Sequence, residues 1–183
     1  MSLEYAILGF LTLAPMSGYD LKTRHFDGSV AHFWPANQAQ IYRTLDRLES
    51  AGLVTGEWEV QTERPNRKSY TITTEGVAAL KAWLAESRPL PKERLPFLVQ
   101  LYFARHLSRD ELLSLLQAQR QLHVDRLKEY QAIGFPPFDD PVMARQVIFG
   151  KYTLDFGLRY EQMQIEWLDA VMAQAETLSW PDD

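Results

Sequence analysis

The stretch from Asn37 to Tyr70, NQAQIYRTLDRLESAGLVTGEWEVQTERPNRKSY, constrains the fold more than any other part of the chain. It reads as a short helix that runs into two strands joined by a basic, proline-containing tip. Ile41, Leu45 and Leu48 recur at spacings of four and three, the helical period, and so mark one buried face. On an ideal helical wheel Gln40, Arg43 and Arg47 then fall together on the opposite face. A helix that buries its aliphatics and points two guanidiniums and an amide outward suits a DNA major groove, where Arg pairs bidentately with guanine and Gln with adenine. The tip, Arg64 to Lys68, supplies cations for nearby phosphates. This is the layout of a winged helix-turn-helix, with double-stranded DNA as the leading partner.

The formal net charge of −5 pulls the other way, because a basic surface is the usual footprint of a nucleic-acid-binding domain. Distribution resolves the conflict. The acidic residues are spread along the chain, whereas Arg43, Arg47, Arg64, Arg67 and Lys68 gather on one side of the proposed fold, which predicts a local basic surface and modest non-specific affinity. No run of about 18 apolar residues exists, so no membrane span is expected. Met1–Leu13 lacks the basic start of a secretory signal. The absence of cysteine leaves no disulfide framework, zinc-thiolate cluster or redox centre, and a cytoplasmic setting is the simple reading.

Turn and cap signals divide the first half. Leu3–Leu13 is apolar and helix-compatible until Ala14-Pro15, and Ser17-Gly18 opens a second helix from Tyr19 to about Phe26. Asn37 with Gln40 three residues on forms a capping box, and Gly52 stands where a helix-ending glycine belongs. Leu53–Gln61 and Lys68–Ile72 carry the β-branched and aromatic residues of strands, and Thr73 caps a further helix through Leu84. The prolines of Ser87–Lys92 mark a linker. The division is therefore a winged helix-turn-helix domain over residues 1–87 and an all-helical domain over 88–183, mainly α with a small β wing.

In the second half, Glu93–Leu107 is apolar on more than one side and should be largely buried. Ser108 to Glu111 is a capping box opening a helix that reaches Ile133, where Gly134 and Pro136-Pro137 stop it. Asp140-Pro141 starts the last helix. It carries Phe149, Tyr152, Phe156, Tyr160, Met163, Trp167 and Val171 at alternating spacings of three and four. Helical to Leu178, it would be roughly 55 Å long at about 1.5 Å per residue. A stripe of that length calls for a partner helix, and these residues are assigned to a homodimer interface, with the preceding helix covering part of the stripe as the alternative.

At these residues the sequence resembles the PadR family of bacterial transcriptional regulators. AILGFLTLAPMSGYDLK at Ala6–Lys22, QIYRTLDRLESAGLV at Gln40–Val54 and RPNRKSYTITTEG at Arg64–Gly76 occur in the family's order. The helical second half is similar to the longer, virulence-gene-activator members in length and layout. The resemblance implies a winged-helix DNA-binding domain, a helical domain that interlocks two subunits, and an inverted-repeat operator bound by a regulator, most simply a repressor. Carried to matching positions, DNA contacts are Tyr19 on the second helix, Gln40, Tyr42, Arg43 and Arg47 on the third, and Arg64, Asn66, Arg67 and Lys68 in the wing. Tyr42 lies at the edge of the wheel, half core and half contact, and Tyr19 either reaches a phosphate or packs on the first helix. Glu57, Glu59 and Glu63 make this wing more acidic than the family pattern.

Some family members respond to phenolic acids or planar aromatic drugs, and on that reading the helical domain over 88–183 would bind a planar aromatic effector and alter the spacing of the two wings. Phe33, Trp34, Trp83, Tyr152, Phe156, Tyr160 and Trp167 would be candidates to line such an effector pocket, against their plainer reading as core and interface. A module that kept the wing and lost DNA in favour of a protein partner is a further alternative, supported by the acidic balance. No Ser/His/Asp set or spaced carboxylate pair stands out and the four histidines are isolated, so no catalysis, metal or cofactor is expected.

Overall fold

The computed structural model describes residues 2–59, 67–135, 137, 139–178 and 180. The chain divides into two compact units, Met1–Pro91 and Lys92–Asp183.

In the first unit α1 (Ser2–Leu11) leads to a two-residue strand, β1 (Met16–Ser17), which the sequence presents only as a turn. Ser17 then caps α2 (Gly18–Asp20) through a reciprocal box with Asp20. The helix continues as a wider π-helical segment, Leu21–Ser29, whose helical backbone breaks at Gly28 (φ −122, ψ −106), just past the expected end near Phe26. α3 (Gln38–Ser50) starts at the predicted Asn37–Gln40 box and buries Ile41, Thr44, Leu45 and Leu48. Gly52 takes φ +70 and turns the chain into β2 (Val54–Glu59), a left-handed conformation that costs glycine least. β3 (Arg67–Ile72) returns antiparallel, and α4 (Thr74–Ala85) starts on the Thr73 cap. The sheet order is β1-β3-β2, so β3 is central. Ile7, Leu8 and Leu11 of α1, Leu21 and Phe26 of the second helix, the α3 aliphatics, Val54, Tyr70 and Leu80 form one core.

In the second unit α5 is short (Pro96–Tyr102) and is followed by a single 3₁₀ turn, Ala104–His106. The expectation of a largely buried helix over Glu93–Leu107 is corrected here. Pro96 at the first turn sets the start, no α5 residue is buried, and Tyr102 is 82% exposed. Two turns can offer only one face to a core, and that face carries Phe97 and Leu101. α6 (Arg109–Gln131), opened by the Ser108–Glu111 box, packs along α7 (Pro141–Ala175), which has Asp140 as cap and Pro141 at its first position. Leu112, Leu116, Leu168 and Ala175 form their shared core, with Trp167 and Val171 packed against it. At 35 residues α7 is about 52 Å long. The aromatic stripe therefore splits: Phe149, Tyr152, Phe156 and Met163 are exposed, Tyr160 is half-buried beside Phe156, and Trp167 meets Phe97 edge-on in the chain's own core.

Candidate nucleic-acid interface

Burying the aliphatic side of α3 leaves Ala39, Gln40, Tyr42, Arg43, Asp46 and Arg47 exposed on its other side. The structure thus brings Gln40, Arg43 and Arg47 onto one surface. Arg43 folds its Nε–H onto the Ala39 carbonyl at 3.2 Å, an exposed and easily exchanged bond. Gln40 is partly committed to folding, since its Oε1 accepts the Asn37 amide at 2.9 Å. Arg47 donates to Thr44 Oγ1 at 3.2 Å and lies 3.2 Å from Glu4 of α1. Asp46 stands among these groups and was passed over in the sequence; a carboxylate there can accept from a cytosine amino group.

Both tyrosines border this surface. Tyr42 is 38% exposed because its ring lies on Gly18, where an added Cβ would come within 2.7 Å of the ring. Tyr19 is 62% exposed, one residue into the helix that Ser17 caps.

On the wing, Arg67 lies 3.4 Å from Asp20, whose other oxygen is 3.3 Å from Arg24. Burial pushes the Asp20 carboxyl up, but the hydrogen bonds from the Ser17 hydroxyl and amide, aided by Arg24 and Arg67, outweigh it and hold the group below the usual carboxylate range. Lys68 donates to Glu49 at 2.6 Å and lies over the Tyr70 ring, 5.3 Å from its centroid. The Glu49 hydrogen bond holds this ammonium above the ordinary lysine value. Arg64, Asn66 and Glu63 lie outside the described residues, as does the side chain of Glu59; Glu57 is exposed on β2. Trp58, opposite Lys68 in the ladder and 68% exposed, is a wing residue that sequence reasoning missed. Strand alternation, which sets Trp58 on the same side as Gly56, was the available signal.

The guanidiniums of Arg43, Arg47 and Arg67 and the Lys68 ammonium thus share their surface with Glu4, Asp20, Asp46 and Glu49. Each carboxylate lowers the local positive potential that charge spacing alone suggests.

The aromatic candidates do not gather into one site within either unit. Trp34 lines an open groove of about 980 Å³ with Leu3, Pro35, Gln40, Arg43 and Arg47. Trp83 instead stacks on Tyr5 with centroids 4.8 Å apart. His25 stacks on Phe10 at 3.9 Å, and among the described residues no group of three or more His, Cys, Asp or Glu could hold a metal ion.

Comparison with known proteins agrees over both units. Residues 7–82 match the transcriptional regulator PadR-like family, and residues 93–176 match the virulence activator alpha C-terminal family. The negative transcriptional regulator PadR of Bacillus subtilis is 32% identical over 178 residues, which is 95% of this chain and 97% of that protein. The crystal structure of Bacillus subtilis PadR in complex with operator DNA superposes with a TM-score of 0.81 at 29% identity, covering 96% of this chain and 99% of the other. Its complex with p-coumaric acid gives 0.77 at 28% identity, with the same coverage of 96% and 99%.

Proposed function

Because the chain belongs to the PadR-like family of transcriptional regulators, we propose that it represses transcription as a homodimer bound to an inverted-repeat DNA operator. It is a regulator and not an enzyme. The observation that carries the DNA reading is the exposed α3 surface, with Arg43 at its middle and a two-stranded wing beside it. Arg43 reads a base edge, Gln40 addresses a neighbouring base through Nε2, and Arg47, Tyr19, Tyr42 and the wing residues Arg64, Asn66 and Arg67 position the phosphates. Two copies present their α3 helices to successive major grooves about 34–36 Å apart. The likeness to Bacillus subtilis PadR, crystallised with operator DNA, supports this assignment.

The test is selection of bound sequences from a random duplex library, followed by a salt-titrated gel shift of wild type and Arg43→Ala. The expected result is a pseudo-palindromic site at which Arg43→Ala loses about 1–3 kcal/mol of discrimination at one base pair per half-site. Equal binding of all sequences by both proteins would sink the base-reading role. Absence of any binding at low salt would favour a protein-interaction module instead.

A second reading adds an effector. The groove beside Trp34 sets an aromatic ring next to Arg43 and Arg47, a combination suited to a planar aromatic acid, and Bacillus subtilis PadR was crystallised with p-coumaric acid. Such a ligand lowers DNA affinity only to the extent that it binds the DNA-free form better. Quenching of tryptophan fluorescence by p-coumaric acid, present in the free protein and weakened on DNA, is the expected signature; equal quenching in both states removes this reading.

A further inference from the structure

Charge alone makes Lys68 a phosphate ligand, yet its side chain is only 23% exposed and its ammonium is spoken for. Nζ donates to Glu49 Oε2 at 2.6 Å, and Glu49 belongs to the last turn of α3, where the helix dipole also favours a cation. The stem lies along the hairpin on Gly56, where an added Cβ would come within 2.3 Å of Lys68 Cε and 2.8 Å of Glu49 Oε1. The absence of a side chain at Gly56 therefore opens the trough that holds the bridge. Beneath it is Tyr70, 3% exposed and paired with Gly56 in the ladder. Three elements thus converge on one ammonium: the end of α3, β2 and β3.

The position of this contact along the wing gives it consequence. Lys68 pairs with Trp58, one rung inside Glu59–Arg67, the outermost pair of the β2–β3 ladder among the described residues. A two-stranded ribbon twists easily once it leaves the core. A bridge at this rung ties its outer part to α3.

We propose that Lys68 is a positioning residue that, with Glu49 and Gly56, clamps the wing to α3 at the angle at which both reach DNA together. The inference rests on the DNA-binding reading above and deepens it: Lys68 neutralises a carboxylate of its own chain and makes no phosphate contact.

The two roles predict opposite signs. Removing Glu49 from a phosphate-binding surface takes away a negative charge and should tighten binding, whereas removing it from a clamp should weaken binding. The experiment is fluorescence anisotropy of the full-length protein on a long mixed-sequence DNA duplex, titrated with salt well below the melting temperature of each variant. Glu49→Ala and Lys68→Met are each expected to weaken binding about three- to five-fold, the scale of a partly exposed ion pair. The double variant should be no weaker than either single one, because both break the same bridge. The slope of log K against log salt should stay at the wild-type value. Gly56→Ala leaves every charge in place and displaces only the flexible ends of Lys68 and Glu49, so it should reproduce the loss and serves if Glu49→Ala does not fold. Tighter or unchanged binding by Glu49→Ala or Gly56→Ala overturns the clamp, as does a slope flattened by about 0.9 in Lys68→Met, the mark of one lost phosphate contact. If wild type itself fails to bind the duplex at low salt, the DNA reading falls and takes the clamp's role with it.

Discussion

At Gln40 the demands of folding and of recognition fall on one side chain, since the Oε1 that closes the α3 cap cannot also move to suit a base. Arg47 is similarly divided between its outward position and the Glu4 carboxylate. The Asn37–Gln40 box was legible in the sequence because both partners lie within one helical turn. The Glu4–Arg47 pair was not, because nothing local links the first turn of α1 to the last turn of α3. His25 is the residue whose environment makes the clearest single-site prediction. Burial, assisted by Arg24, lowers its pKa; its Nδ1 meets Ser29 at 3.2 Å, while its buried Nε2 has no hydrogen-bond partner among the described residues. The folded state therefore resists protonation, and the unfolded chain, near its ordinary value of about 6.5, takes up the proton first. Stability from this site is complete above about pH 6.5 and declines as pH falls towards the lower folded value. His25→Phe, which preserves the stack on Phe10, should flatten the decline in urea midpoint between about pH 7 and pH 5. Parallel pH profiles for variant and wild type would remove His25 as a source of that dependence.

Among the elements, α6 and α7 are joined by polar contacts as well as by their core. Arg120 makes a bidentate pair with Asp169, at 2.6 and 3.1 Å on the surface. Deeper, His123 Nδ1 lies 2.5 Å from Glu161, whose side chain is only 3% exposed, and Gln119 meets the other ring nitrogen at 3.2 Å. A buried carboxylate is tolerated only when its partners are in place, which fixes the register of one helix on the other. Glu161→Ala should cost about 3 kcal/mol in urea unfolding, while replacing His123 and Glu161 together by Leu and Met should cost less than the single change. A single-variant loss below about 1 kcal/mol would show that the site relaxes without the pair. The histidine looked isolated in the sequence because its partner is 38 residues away. Helix ends, by contrast, were readable at Ser17, Asn37, Thr73, Ser108 and Asp140, where each cap serves the turn that immediately follows.

For the molecule as a whole, the exposed part of the α7 stripe is the feature that one chain leaves unfinished. Phe149, Tyr152 and Phe156 are 55%, 65% and 71% exposed, a row of rings that the homodimer reading covers with a second copy. Phe156→Glu should leave the helical content unchanged, shift sedimentation from dimer to monomer, and reduce operator affinity on the order of a hundred-fold through loss of bivalent binding. A Phe156→Glu protein that remains dimeric with full affinity would move the interface elsewhere. Trp167 and Val171 are expected to matter differently, because they already pack in the core of their own chain and their loss should lower stability first.

By itself the sequence determined the order of elements, the caps, the buried face of α3 and the family, because each depends on residues within a few positions of one another or on an ordered set of motifs. Only the tertiary structure decided which outward charges meet a carboxylate from elsewhere in the chain, that β1 adds a third strand, that α5 offers only Phe97 and Leu101 to its unit's core, and that Trp167 and Val171 of the aromatic stripe pack there. Those outcomes turn on distances between residues far apart in the chain. A period of three or four tells which side of a helix faces inward, but not what another element places against it.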